Sequence, residues 1–233
     1  MSLFITFEGI EGCGKTTQIG LLTSFFEENH RPILLTREPG GTEAGEKIRD
    51  ILLSPKKIRV EPMAELLLYV AARIQHYHEV IKPALKEGKI VICDRFADAT
   101  LAYQGFGRGL DIAWIEEVYR RALDNLKPDI TFLLDLPVEE GLGRAWIRIK
   151  NSKGTRNQKF FFDYYQLEFP FHLIHAGQDR FEKEALDFHR RVREGYLAMA
   201  RREPQRIIVL DGMKDQETLH HEIVSHLSSK FIG

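Results

Sequence analysis

The segment Gly9-Ile10-Glu11-Gly12-Cys13-Gly14-Lys15-Thr16 fits the pattern G-x-x-x-x-G-K-[ST]. A short run over 3–7 that is apolar on both faces precedes it, and apolar residues at helical spacing follow it over 15–28. Glycines let the backbone curl so that successive N–H groups face one concavity, and the N-terminus of the helix adds partial positive charge there. The segment therefore predicts a phosphate-binding loop for a nucleoside triphosphate, with Lys15 on the β- and γ-phosphates and the Thr16 hydroxyl on Mg²⁺.

Strand-like and helix-like segments alternate through the rest of the chain. Buried parallel strands are predicted at 32–36, 89–93, 130–136 and 206–210, in addition to the one at 3–7. Helices are predicted between and after them, at 43–53, 62–85, 111–126, 138–150, 179–202 and 216–231, with Pro83 expected to end or kink the long one. We therefore expect one α/β domain over 1–233, in which helices flank both faces of a five-stranded parallel sheet.

The composition excludes several classes of protein. The 233 residues include 33 Lys and Arg against 34 Asp and Glu, a balance that excludes a globally basic nucleic-acid binder and a polybasic membrane protein. The spacing of the two cysteines, Cys13 and Cys93, indicates neither a disulfide framework nor a zinc site. We expect no signal peptide, because residues 1–4 lack a basic segment followed by a long apolar run, and no apolar stretch approaches about 18 residues. We expect a cytoplasmic protein with no membrane segment and no nucleic-acid partner.

Residues 151–178 depart from the alternation. The segment begins polar and basic and then carries seven aromatic side chains within a short span, namely Phe160, Phe161, Phe162, Tyr164, Tyr165, Phe169 and Phe171. A merely flexible loop would not carry so many aromatic residues. We therefore expect this segment to be buried, either on its own domain or on a partner.

Three classes of nucleoside triphosphate protein are compatible with the phosphate-binding loop alone. A GTPase switch would show an Asn-Lys-x-Asp guanine reader and an Asp-x-x-Gly switch, and the sequence has neither. A mechanical ATPase would place an acid after an apolar strand, a position that Asp94 or Asp135 could fill. A small-molecule kinase needs a second pocket for the acceptor and several cations to offset the developing charge.

Candidate acceptor-site residues lie after the third strand and on the long helix. Asp94 and Arg95 come where open α/β sheets bind ligands, and Arg95 could hold an acceptor phosphate, although the two could also form a structural ion pair. Tyr69 and Arg73 share one helix face, so they could stack on a base and bond its edge, or line a half-buried face. Three further arginines could offset phosphate charge or could simply lie on a solvent-exposed face. They are Arg144, Arg148 and Arg180.

A series of short motifs covers nearly the whole chain outside 151–178. They are Phe7-Glu8-Gly9 through Lys15-Thr16-Thr17, Thr36-Arg37-Glu38-Pro39-Gly40-Gly41-Thr42, Ala71-Ala72-Arg73, Asp94-Arg95-Phe96, Ala102-Tyr103-Gln104-Gly105, Gly107-Arg108-Gly109, Pro128-Asp129 and Asp179-Arg180-Phe181-Glu182. In this order they resemble the motifs of bacterial thymidylate kinases. The resemblance implies a homodimeric enzyme with a P-loop kinase fold. With Mg²⁺, it would transfer the γ-phosphoryl group of ATP to dTMP, giving dTDP and ADP for the supply of dTTP in DNA synthesis.

The resemblance also implies roles for the matching residues. The loop 9–16 would hold the ATP phosphates, Arg95 would contact the phosphate of dTMP, and Arg73 would contact its base. Tyr69 stands where the family usually has Phe stacked on thymine, and Tyr103 would crowd the 2′ position of the sugar. The other residues implied at the acceptor site are Glu38, Pro39, Thr100, Gln104, Phe181 and Glu182, and those implied at the metal ion are Thr16 and Asp94.

The lid region, about 144–182, departs from the family pattern because of the insertion at 151–178. Residues 10–13 of the loop include no Arg or Lys, and lid arginines supply that charge in the bacterial type. Arg180 is therefore the implied catalytic cation of the lid, with Arg144 and Arg148 assisting at ATP. The insertion could be an added segment packed on the outside of the lid, an altered lid or a dimer contact.

Two alternative functions remain open at this point. One is a kinase for another nucleotide or deoxynucleoside, because pocket residues tune the choice of base. The other is a non-catalytic or switch-like P-loop protein, which would bind ATP without any acceptor-dependent formation of ADP.

Overall fold

A computed structural model describes residues 2–53, 60–151 and 179–229, apart from the side chains of residues 149, 150 and 179–185. Its strands are β1 (Leu3–Glu8), β2 (Ile33–Arg37), β3 (Ile90–Asp94), β4 (Ile130–Asp135) and β5 (Ile207–Asp211). Its α-helices are α1 (Lys15–Glu28), α2 (Glu43–Leu52), α3 (Pro62–His76), α4 (Lys82–Lys86), α5 (Ala97–Thr100), α6 (Ile112–Ala122), α7 (Val138–Asn151), α8 (Asp179–Arg202) and α9 (Gln216–Leu227). Within these ranges, none of the helices combines the length and the apolar character needed to cross a membrane.

All five strands are parallel and lie in the order β2-β3-β1-β4-β5, which confirms the predicted sheet. The chain leaves β1 toward β2 and then advances in the opposite direction through β3, β4 and β5. Right-handed crossovers therefore place α1 on one face of the sheet and the later crossover helices on the other, and α9 packs beside α1. The reversal lies between β1 and β3, which is the point where open α/β sheets bind ligands.

The inner strands are buried on both faces, as expected for parallel strands between two helical layers. Every side chain of β1 is buried. Phe4 meets Phe96 edge-on, with ring centroids 5.0 Å apart, and Phe7 packs on Phe132 of β4 at 5.5 Å. The aromatic core thus lies directly beneath the carboxyl end of β1, where the glycine-rich loop begins.

The helix predicted over 62–85 is interrupted rather than ended. After α3, a π-helical segment at Tyr77–Ile81 leads into α4. Pro83 lies in the first turn of α4, where a missing N–H removes no intrahelical hydrogen bond of that helix. The proline is therefore accommodated within a continuous helical stretch that changes helix type before it.

The sequence pattern predicts no helix over 97–107, whereas the structure is helical there. The short helix α5 continues into a π-helical segment, Leu101–Gly107, and together they carry Thr100, Tyr103 and Gln104. Two short pieces of different helix type lack the long 3.6-residue repeat that identifies a helix in a sequence.

A buried ion pair anchors this segment to the sheet. Both terminal nitrogens of Arg206, just before β5, donate to the two carboxylate oxygens of Asp98 in α5, at 2.6 and 2.9 Å. Arg206 also donates to the Thr131 hydroxyl on β4 at 3.0 Å. Asp98 is 4% exposed, and within the described part of the chain the Arg206 guanidinium is the cation paired with it.

We expect Asp98→Ala to lower the free energy of unfolding by about 2–3 kcal/mol, because the Arg206 guanidinium loses its buried two-oxygen partner and keeps only the Glu203 carboxylate at 2.9 Å. Thermal and urea unfolding would measure the loss. Glu43→Ala is the matched control, since it breaks the exposed Glu43–Lys47 pair within α2 and should cost less than about 1 kcal/mol. Equal losses in the two variants would contradict the anchoring role of Asp98.

Candidate active site

The phosphate-binding loop predicted at 9–16 joins β1 to α1, and close packing requires its glycines. Gly9 and Gly14 have φ values of +132° and +100°, which side chains rarely adopt. A Cβ at Gly9 would lie 2.5 Å from the carbonyl oxygen of Leu134 in β4. A Cβ at Gly12 would overlap the carbonyl of Gly141 in α7. The loop is therefore held in one shape against β4 and α7.

The side chain of Lys15 turns back over this loop. Its Nζ donates to the carbonyl oxygens of Gly9 and Ile10 at 2.9 and 3.0 Å and to the Cys13 sulfur at 3.3 Å. Three acceptors saturate the three hydrogens of an ammonium group. The positive charge is thereby held at the N-terminus of α1, where backbone N–H groups without an intrahelical partner also lie. The loop combines both features of an anion-binding site.

Arg95 follows β3 and has a left-handed backbone, with φ of +67°. Its backbone N–H donates to the Phe7 carbonyl at 3.0 Å, which ties it to β1. Its guanidinium donates to Tyr196 Oη of α8 at 3.2 Å and to Glu11 Oε1 at 2.8 Å, and it stacks on the Tyr103 ring at 5.0 Å. Three elements therefore orient this one cation.

Two buried carboxylates near Arg95 have opposite pKa shifts. Burial raises the pKa of Glu8 to about 7, and the neighbouring Asp98 charge adds to the rise. Glu8 accepts hydrogen bonds from the Phe96 N–H at 2.7 Å and from Tyr196 Oη at 2.8 Å. Burial would also raise the pKa of Glu11, but the Arg95 guanidinium and His189 hold that pKa well below its usual range. Glu11 is therefore an anion at neutral pH, whereas Glu8 is partly protonated.

Arg73 of α3 forms a second cationic centre in the same region. It is 2% exposed, and its Nε donates to Glu38 Oε2 at 2.5 Å. Its terminal nitrogens donate to the Thr100 hydroxyl and to the Phe96 carbonyl, both at 3.0 Å. The Tyr119 ring lies 4.7 Å from the guanidinium carbon. A guanidinium has five N–H groups, and these contacts with described residues use three of them.

A cavity of about 660 Å³ joins the loop to both arginine centres. It lies at the carboxyl ends of β1 and β3, and most of the residues predicted from the sequence line it. They are Glu11, Gly12, Cys13, Gly14, Lys15, Thr16, Glu38, Pro39, Tyr69, Arg73, Asp94, Arg95, Thr100, Tyr103, Gln104, Arg144 and Arg148. Gly9 and Ile10 lie beneath them and supply the carbonyls that Lys15 binds. One space is thus large enough for a drug-sized ligand and offers cations at both ends.

Comparison with known proteins decides the family. A family model described as thymidylate kinase matches residues 7–169. A thymidylate kinase of Trichlorobacter lovleyi is 50% identical over 210 residues, which are 90% of this chain and 89% of that protein. A thymidylate kinase of Geotalea uraniireducens is 49% identical over 219 residues, which are 94% and 93%. The crystal structure of thymidylate kinase from Ehrlichia chaffeensis matches with a TM-score of 0.72 at 32% identity, covering 97% of this chain and 98% of that one.

The chain belongs to the thymidylate kinase family. The resemblance inferred from the motifs is thereby confirmed, together with the P-loop kinase fold. Family membership also explains why a nucleotide loop and an arginine-rich pocket share one cavity, since a kinase must bring a donor and an acceptor together.

Some residues implied by the thymidylate kinase resemblance are placed differently from the rest or are not described. Glu11 is implied at ATP as part of the loop 9–16, and its carboxylate accepts hydrogen bonds from Arg95 and Tyr103. Arg144 donates to the Gly212 carbonyl at 2.9 Å, so it lies at the loop after β5. The side chains of Arg180, Phe181 and Glu182 and the whole of 152–178 lie outside the described residues.

Sequence reasoning missed several cavity residues of this thymidylate kinase family member. The loop after β5 contributes Lys214 and Asp215 to the cavity, and Gln216 at the start of α9 also lines it. This loop could have been predicted as part of the site, because the carboxyl end of every parallel strand lies at the ligand-binding edge of the sheet. Glu65 does not line the cavity but accepts from the lining residue Gln104 through its Nε2 at 2.8 Å, and it gives no such signal because it lies within a helical repeat.

We expect Glu8→Gln to change how stability depends on pH. Between about pH 4.5 and 7, folded wild type retains a proton at Glu8 that the unfolded chain releases, so wild-type stability falls as pH rises. Glutamine cannot ionise and avoids this loss. From pH 4.5 to 8, the variant should therefore gain about 3 kcal/mol relative to wild type.

Urea unfolding at several pH values measures this difference. Glu140→Gln, on an exposed face of α7, is the control for a change of one charge. A constant offset between Glu8→Gln and wild type across the whole range would contradict the raised pKa of Glu8.

Proposed function

We propose that the chain transfers the γ-phosphoryl group of ATP to dTMP, forming dTDP and ADP in the supply of dTTP for DNA synthesis. The observation that carries this proposal is the single cavity shared by the phosphate-binding loop and the Arg73 and Arg95 centres. A nucleotide at the loop and a second one between the arginines would face each other across the β1–β3 reversal. The kinship with thymidylate kinases identifies the two nucleotides.

On the donor side, the loop would bind the phosphates of ATP through its backbone N–H groups and the N-terminus of α1. Phosphate oxygens would replace the carbonyl partners of Lys15, whose ammonium is already held at the loop. Arg144 and Arg148 line the cavity on the α7 side and would add positive charge near ATP. Arg180 at the start of α8 would supply the lid cation.

We propose that Mg²⁺ accompanies ATP and is held by Thr16 and Asp94. Both residues line the cavity, and Asp94 Oδ1 is buried without a hydrogen-bond partner in the described structure. A carboxylate oxygen that lacks a donor suits a hard cation, and Mg²⁺ in such enzymes takes one or two protein oxygens together with phosphate and water. The ion would neutralise charge on the β- and γ-phosphate oxygens.

On the acceptor side, Arg95 would hold the phosphate of dTMP and Arg73 would donate to the base. Thr100 fixes the Arg73 guanidinium, and Tyr69 would stack on the ring. Tyr103, whose hydroxyl donates to Glu11 at 2.6 Å, would lie at the sugar. The residues that complete this pocket would be Glu38, Pro39, Gln104, Phe181 and Glu182.

The chemistry needs no general base. A phosphate monoester has a second pKa of about 6, so the acceptor is mostly a dianion at neutral pH. Its attack on ATP faces like-charge repulsion, and the contribution of the protein is positioning and neutralisation. Lys15 and Arg95 would approach the reacting phosphates from opposite sides of the cavity, with Arg180 closing over them.

We further propose a cytoplasmic homodimer built from one domain over 1–233, with no nucleic-acid partner. Large apolar side chains on α2 and α3 are 43–49% exposed, and they support a contact between copies through these helices. They are Ile51, Met63 and Leu67.

The function is tested by measuring ADP release from ATP and Mg²⁺ with a panel of acceptors: dTMP, dUMP, the ribose form of TMP, dCMP, dGMP, AMP and thymidine. We expect a strong preference for dTMP. Folded Lys15→Ala should lose a factor of about 100 or more in kcat, because a cation at the transferred group is removed. ATP binding without acceptor-dependent ADP release would instead indicate a switch-like protein.

Arg73→Lys should raise the KM for dTMP by about tenfold or more and change the KM for ATP by less than about twofold. Lysine keeps the positive charge but lacks the planar guanidinium, whose separate N–H groups would donate to Glu38, Thr100 and the base at once. Steady-state kinetics with each substrate varied in turn measure both constants. Arg120→Lys, exposed on α6, is the control. An unchanged KM for dTMP would refute the contact with the base.

A further inference from the structure

A chain of polar groups, of which His76 and Glu38 are buried and Thr36 is half-buried, runs behind the Arg73 centre. The Thr36 hydroxyl of β2 lies 2.7 Å from His76 Nε2, and His76 Nδ1 lies 2.9 Å from Glu38 Oε1. The other oxygen of Glu38 accepts from Arg73 Nε at 2.5 Å. His76 is fully buried, and Thr36 and His76 are not among the residues that line the cavity. Their hydrogen bonds connect them to the cavity through Glu38, which in turn bonds Arg73.

The chemistry of these groups determines which atoms donate. The Glu38 carboxylate only accepts, so His76 Nδ1 carries a hydrogen and donates it to Oε1. In a neutral imidazole, Nε2 is then an acceptor, and the Thr36 hydroxyl donates to it. Glu38 consequently has one oxygen committed to His76 and the other to Arg73. The carboxylate cannot rotate without breaking one of these two hydrogen bonds.

Packing holds the imidazole in this position. A Cβ at Gly41 would lie 2.6 Å from the His76 ring, so the loop after β2 rests directly on the imidazole. The φ of Gly41 is +82°, a conformation that glycine adopts readily. Arg49 of α2 donates to the Pro39 carbonyl at 2.7 Å and fixes the other side of the same loop. The ring is therefore enclosed between α3 and the loop that carries Glu38.

We propose that His76 is a positioning residue, which fixes the Glu38 carboxylate and through it the Arg73 guanidinium that reads the acceptor base. This inference rests on the proposed function, since it concerns the same acceptor site. Arginine has many rotamers, and a guanidinium held in place before binding loses less entropy when it bonds a ligand. N–H donors that are fixed in place can donate to a base carbonyl such as that of thymine. They have no acceptor to offer the amino group that cytosine has at the same edge, so cytosine is disfavoured.

The test compares two amides that mimic different ring nitrogens. The side-chain nitrogen of His76→Asn lies near the position of Nδ1, so this variant keeps a donor to Glu38. His76→Gln reaches toward the position of Nε2 and Thr36 instead. We expect His76→Gln to raise the KM for dTMP about tenfold, with kcat and the KM for ATP within about twofold, because the base lies far from the reacting phosphates. His76→Asn should stay within about threefold of wild type in every constant.

Discrimination between bases provides the second readout. The ratio of kcat/KM for dTMP to that for dCMP should fall about tenfold in His76→Gln and stay near wild type in His76→Asn. Ile81→Val, a buried change in the segment after α3, serves as a control for loosened packing. Tm values for all variants show whether a change in KM follows the loss of stability.

Each outcome bears on one claim. A wild-type protein that releases no ADP with dTMP would refute the proposed function and this role with it. An active wild type with an unchanged dTMP KM and base discrimination in His76→Gln would refute the role of His76 alone. Equal effects in His76→Asn and His76→Gln, or an equal effect in Ile81→Val, would also overturn it, because then a general structural loss explains the data.

Discussion

In the pairing of β1 with β3, Phe7 lies opposite Asp94, and the N–H of Arg95 continues the ladder by donating to the Phe7 carbonyl at 3.0 Å. This register places the start of the phosphate-binding loop beside Asp94 and Arg95. The chain turns in opposite directions after the two strands, so no crossover covers the space between them. The cavity and its charged lining both depend on this one pairing.

The cavity brings several cations close together, and buried charges are costly unless they are compensated. Each arginine centre has its own carboxylate: Glu38 pairs with Arg73, and Glu11 pairs with Arg95. The pairs hold the guanidinium groups in place while no ligand is bound. A substrate phosphate that binds Arg95, as proposed, would have to compete with Glu11, so the fixed geometry of Arg95 would lower the affinity for that phosphate.

The alternation of strands and helices could be predicted because buried strands and amphipathic helices leave different periodicities in the sequence. The phosphate-binding loop and Asp94-Arg95 could be predicted because glycine spacing and the carboxyl end of a strand are local signals. Partners such as Tyr196 could not, because that residue is more than 100 positions from Arg95 along the chain, and its spacing resembles that of any buried helical residue. His76 is hidden in the same way within α3.

Each arginine centre is oriented by a hydrogen-bonded pair made of a carboxylate and a side chain from a long helix. On the α3 side, Glu38 joins the His76 ring to Arg73. On the α8 side, Tyr196 donates to the buried Glu8 and accepts from Arg95. In each case a group on a long helix meets a carboxylate from a loop or strand end, so the guanidinium is positioned by elements that the core already holds. A catalytic geometry built on rigid helices needs less ordering when substrate binds than one built on loops alone.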